Sequence, residues 1–101
     1  MSSFEKKLDS LFNNLGVSLY QIGLSLGEDS SRLDKILYNK RPTTFDKRLE
    51  AIVLICQSPL LKGKVKAGTL AQWLSEDYIS EEGLEKAFER ANSLKLKRMP
   101  Q

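Results

Sequence analysis

Histidine is absent from the 101 residues, and cysteine occurs once, at Cys56. Without histidine there is no base for a Ser-His or Cys-His nucleophile and no imidazole to hold a metal. One thiol forms neither an internal disulfide nor a zinc cluster, and a lone cysteine suits a reducing compartment. The longest apolar run, Ala51 to Cys56, is six residues, against the ~20 that span a bilayer. The opening Ser2-Ser3-Phe4-Glu5-Lys6-Lys7-Leu8-Asp9 has no long apolar core of the secretion-signal kind. A cytoplasmic protein with no membrane partner is therefore expected. Neither a nucleophile–base pair nor a phosphate-cradling glycine loop is present, so catalysis, a metal and a cofactor are not expected.

What the chain has is enough apolar content, 41%, to fold, with three prolines and six glycines as punctuation. Its net charge is only +3, but the charge is unevenly spread. Residues 1–75 carry eleven Lys/Arg and seven Asp/Glu; residues 76–90 carry six acids against Lys86 and Arg90; Lys95, Lys97 and Arg98 follow. A polyanion, if one binds, is expected on the first three quarters.

The apolar period is helical nearly throughout. Phe4, Leu8, Leu11, Phe12 and Leu15 form the stripe of a first helix that Gly16 can end. Ser18 can cap a short second helix over 19–26, with Leu19, Ile22 and Leu26 inward and Gly27 as its stop. Asp29 or Ser30 can cap a third, with Leu33, Ile36 and Leu37 inward and Asn39 as a left-handed terminator. Thr43 or Thr44 can cap a fourth over about 45–57, closed by Pro59.

Residues 59–68 read as a basic loop, with a short hairpin as the alternative, and carry the lysine comb Lys62, Lys64 and Lys66. A fifth helix is expected over about 69–77 with Leu70, Trp73 and Leu74 inward. Ser80 can cap a sixth, with Leu84, Ala87, Phe88, Ala91 and Leu94 on one stripe and a basic tail after it. The fold class is all-α, five or six helices. Residues 1–58 are expected to form the core unit, 59–68 a loop, and 69–101 a helical extension that packs on the core or dimerises.

Two helices of about two turns each, joined at a glycine, bury too little surface to stand alone; they recur where the first braces the second so that it can enter a groove. Four features go further: Ile22-Gly23, apolar then small; Leu26-Gly27 at the turn; Leu33 and Ile36 inside the next helix; and Asn39-Lys40-Arg41-Pro42 with Thr43-Thr44-Phe45 after it. With these, residues 4–57, and 18–42 above all, resemble the lambda-repressor-like (XRE) helix-turn-helix family. Glu28-Asp29 stands where that family has an apolar residue then Ser, Asp34 adds an acid to the third helix, and Asn39-Lys40 lacks the usual glycine.

The resemblance implies a bundle whose third helix reads duplex DNA. It places Ser30, Ser31, Arg32 and Lys35 at base edges, Arg32 as a two-pronged donor to guanine. It places Gln21, Lys40, Arg41, Thr43 and Thr44 on phosphates, with Lys47 and Arg48 adding positive field. The implied function is a transcriptional regulator, a repressor, acting by operator occupancy. Such proteins work as dimers, and the apolar fourth helix (Leu49, Ile52, Val53, Leu54, Ile55) with the Leu84, Phe88, Ala91 stripe makes a homodimer the expectation. The acids Glu28, Asp29 and Asp34 keep open a protein-interaction adaptor of the same fold. The antitoxin of a toxin–antitoxin pair, binding its protein partner through the C-terminal helices, is a third reading. Cys56, the acidic cluster around Glu76 and Glu81, and the aromatics Trp73, Tyr78 and Phe88 are expected to be structural or solvated rather than sites.

Overall fold

In the computed structural model, which describes residues 3–78, these stripes fold as five α-helices, with no strand among the described residues. They are α1 (Ser3–Leu15), α2 (Leu19–Leu26), α3 (Ser30–Leu37), α4 (Phe45–Cys56) and α5 (Ala67–Tyr78). None of them is long and apolar enough to cross a membrane. The expected sixth helix and the basic tail lie outside the described residues.

Local chemistry sets the boundaries. Ser18 and Gln21 form a reciprocal capping box at the start of α2: each backbone N–H is bonded by the other's side chain, at 3.0 and 3.2 Å. Gly27 ends α2 in the left-handed region at φ 68°, where a Cβ is costly. Asp29 then caps α3, its Oδ1 accepting from the Ser31 N–H at 2.9 Å. Thr44 caps α4 by accepting from the Lys47 N–H at 3.1 Å.

One buried cluster joins all five helices. Phe4, Leu8 and Phe12 of α1 meet Ile22, Leu33, Leu37, Ile52, Ile55, Leu70 and Leu74. Helix α2 packs on α3, α3 on α4, and α5 on both α1 and α4. Residues 67–78 thus share the core of the first 58. A clasp fixes α5 to α1: the Phe4 N–H donates to Asp77 Oδ2 at 2.9 Å, and Lys7 bonds Glu76 at 3.2 Å while lying over the Trp73 ring. Trp73 is half-buried there, and Tyr78 sets its ring edge-on to Phe45 at 4.8 Å.

Residues 57–65 form a run of turns, not a hairpin. Leu61 plugs into the core from this run, and the buried Ser58 hydroxyl pairs with Ser25 of α2 at 2.6 Å. Helix α5 starts at Ala67, two residues before the position expected from sequence. Gly68, the last residue of the expected loop, sits in the first turn of α5, where the Lys66 carbonyl accepts from the Thr69 and Leu70 N–H groups.

Candidate nucleic-acid interface

Helix α3 has eight residues, too few to be stable alone. Three neighbours hold it. At its front, α2 comes so close that a Cβ on Gly23 would lie 2.9 Å from the Glu28 carbonyl oxygen and 3.1 Å from the Ser30 Cβ. Only glycine permits that crossing. At its rear, the Tyr38 hydroxyl donates to Asp9 Oδ1 of α1 at 2.5 Å. Burial, and then the Asp9 carboxylate, push the Tyr38 phenol well above its ordinary range, so it stays a donor.

The third neighbour is Arg48, and here the expectation fails. Arg48 was expected to add field for a polyanion, yet it is only 4% exposed. Its Nε donates to the Ile36 carbonyl at 3.3 Å, its Nη2 to the Leu37 carbonyl at 2.8 Å, and its guanidinium lies 5.2 Å from the Phe4 ring centre. These are carbonyls that the end of a helix leaves without intrahelical partners. The others are met by the backbone: the Tyr38 N–H bonds the Asp34 carbonyl, and the Lys40 N–H bonds that of Lys35. Every carbonyl from 34 to 37 is satisfied. The signal for Arg48 was in the sequence: 48, 52 and 55 share one stripe of α4.

With its inner side fixed by Leu33 and Leu37, α3 turns Ser31 and Arg32 outward, and Lys35 is half-buried beside them. Ser30 does not join them as expected; it is half-buried, its Cα and Cβ over Gly23. Gln21 is exposed, but its side-chain oxygen is committed to the capping box. Thr44 is likewise committed as a cap acceptor, and the Thr43 hydroxyl oxygen is buried with no hydrogen-bond partner among the described residues, which removes it from reach of a phosphate as placed. Lys40 does face solvent, but bonds Asp34 at 2.5 Å.

The structure brings Arg32, Lys35, Arg41 and Lys47 to one cleft of about 570 Å³ between α3 and α4. None of the four makes an ion pair with another described residue. Glu28, Asp29 and Glu50 also line this cleft, and Asp29 is occupied as the cap of α3. Lys62, Lys64 and Lys66 are exposed in the turns before α5 and do not line it. Cys56 is half-buried in α4, and burial raises its thiol pKa, which disfavours the thiolate.

The class these features define, over the described residues, is an all-α fold that presents a short, firmly braced helix beside cations with no ion-pair partner there. Comparison of the chain with protein-family models, with curated proteins and with solved structures returns no match.

Proposed function

We propose that α2 and α3 form a helix-turn-helix of the lambda-repressor-like kind, and that the chain is a sequence-specific DNA-binding regulator, a repressor, acting by operator occupancy. One observation carries the reading. Four cations with no ion-pair partner among the described residues, Arg32 and Lys35 of α3, Arg41 of the turn behind it and Lys47 at the start of α4, gather on one side of the fold, where a polyanion would meet them. The bracing of α3 supports it, since a reading helix needs a fixed register in the groove. Ser31, Arg32 and Lys35 are the proposed base contacts. Arg41 and Lys47 are proposed on phosphates, with Lys40 held in reserve by Asp34. The regulator acts as a dimer in this reading; Val53, 51% exposed between Leu49 and Leu54 on the outer side of α4, is the described surface that favours it.

Titration of labelled duplexes at two salt concentrations tests the proposal, because each neutralised phosphate adds about −0.9 to the slope of log K against log salt. Arg41→Ala is expected to weaken every duplex alike and to reduce the slope by about one. Asp34→Asn is expected to tighten non-specific binding by freeing Lys40. Absence of binding at low salt across many duplexes refutes the reading. The adaptor is then favoured, and the carboxylates of Glu28 and Glu50 on the same cleft are the feature that supports it.

A further inference from the structure

The cleft between α3 and α4 has a property that DNA does not use. Its floor is apolar, built from Leu33, Ile36, Ala51 and Leu54, with Pro42 beside them. The phosphates of a DNA strand gain nothing from such a floor. The rim is the opposite: Arg32, Lys35, Arg41 and Lys47 stand around it without ion-pair partners among the described residues. Thr43, whose hydroxyl oxygen finds no partner among the described residues, forms part of the wall. The volume, about 570 Å³, falls within the range of small-molecule sites, which run from roughly 300 to 1,000 Å³.

We infer that this cleft binds a small aryl monoanion, a flat apolar body carrying one carboxylate or sulfonate, and that the bound anion competes with DNA for Arg32 and Lys35. The charge arrangement selects this class. Four cations face three carboxylates, Glu28, Asp29 and Glu50, so the rim carries a single net positive charge. One anionic head is neutralised there, and a second meets the carboxylates. The guanidinium planes of Arg32 and Arg41 favour an aromatic over an alkyl body, since arginine stacks on aromatic faces. Two of the cations that would grip the ligand are also proposed base contacts, so occupancy by one excludes the other. Binding of the anion itself stands apart from the DNA reading; only the competition rests on it.

Fluorescence titration of the full chain with 8-anilinonaphthalene-1-sulfonate tests the site. One saturable site is expected, weakened at least fivefold in the double variant Arg41→Gln/Lys47→Gln. Both residues are exposed, and neither side chain is bonded within the described fold. The control Lys62→Gln/Lys64→Gln removes the same charge away from the cleft and is expected to leave affinity unchanged. Calorimetry with 1-naphthoate is expected to show binding that neutral 1-naphthylmethanol and inorganic sulfate each lack. Equal loss in both double variants, or equal binding of the neutral alcohol, overturns the inference. Displacement of a bound duplex by 1-naphthoate then reads the competition. Anion binding without any duplex binding sinks the DNA reading, and the competition with it, but leaves the anion site standing; duplex binding without anion binding sinks this inference alone.

Discussion

Arg48 offers the sharpest test of how α3 is held. Its two bonds to the Ile36 and Leu37 carbonyls are charge-assisted and lie in a site almost closed to water. Replacing it with Met keeps most of the volume and the contact with Phe4, but orphans one carbonyl and leaves the other with a single backbone bond. A buried polar group stripped of its partner costs about 1–3 kcal/mol. Relief of the buried charge offsets part of this. The net expectation for Arg48→Met is a loss of about 1–2 kcal/mol. Arg48→Lys retains a cation near the end of α3 but not the planar fork, and about 1–2 kcal/mol is expected. Arg48→Ala adds a cavity and should cost most, about 3–5 kcal/mol, by analogy with other large truncations in cores. Against a total stability of about 5–15 kcal/mol, the last variant stands near unfolding. Urea denaturation followed by circular dichroism gives the midpoints, and an unchanged slope certifies the comparison. Hydrogen exchange at the Lys40 amide should report selective opening of the α3 end in the Lys variant. If Arg48→Met matches the wild type within about 0.5 kcal/mol, a value typical of surface changes, the arginine does not brace α3.

Gly23→Ala separates propensity from packing: in an open helix interior the change gains about 0.5–1 kcal/mol, but here the new Cβ meets backbone oxygen at 2.9 Å. A net loss of about 1–3 kcal/mol is expected from overpacking, and a raised melting temperature refutes the close crossing. The Tyr38 phenol has a folded pKa above its ordinary value near 10, so its contribution is full below that pH and drains as pH rises through the folded value. Tyr38→Phe should therefore be less stable than the wild type at neutral pH and lose stability less steeply above pH ~10; parallel alkaline profiles would exclude the Asp9 bond as the cause.

The helices were legible in the sequence because their signals are local. Ser18, Gly27, Asp29 and Thr44 act within a few residues of themselves, and α2 to α4 begin where those caps predict. The α2–α3 crossing was legible too, since Gly23 follows Ile22 at the one place where a side chain would collide. What stayed hidden depends on partners far along the chain. Arg48 shares the inward stripe of α4 with Ile52 and Ile55, but what it does there stays hidden until the end of α3, eleven and twelve residues away, is seen to need donors. Asp34 reads as repulsive until it is found holding Lys40. Thr43 and Thr44 are adjacent and alike in type, yet Thr44 caps a helix while the Thr43 hydroxyl oxygen is buried with no partner among the described residues. Leu61 sits among lysines and looks like a loop residue, but it is fully buried because the turn folds it inward.

The clasp between α1 and α5 bears on the order of events in folding. Its bond from Phe4 to Asp77 spans 73 positions, whereas the α2–α3 contacts close over a handful. Closure entropy grows with the length of chain enclosed, so short-range pairs form first and the clasp is expected to close after the barrier is crossed. Interactions that form late govern how fast a protein comes apart rather than how fast it assembles. The clasp is therefore a latch on lifetime: it lengthens the residence of the native state while leaving the rate of reaching it nearly untouched, and α3 remains presented for as long as the latch holds.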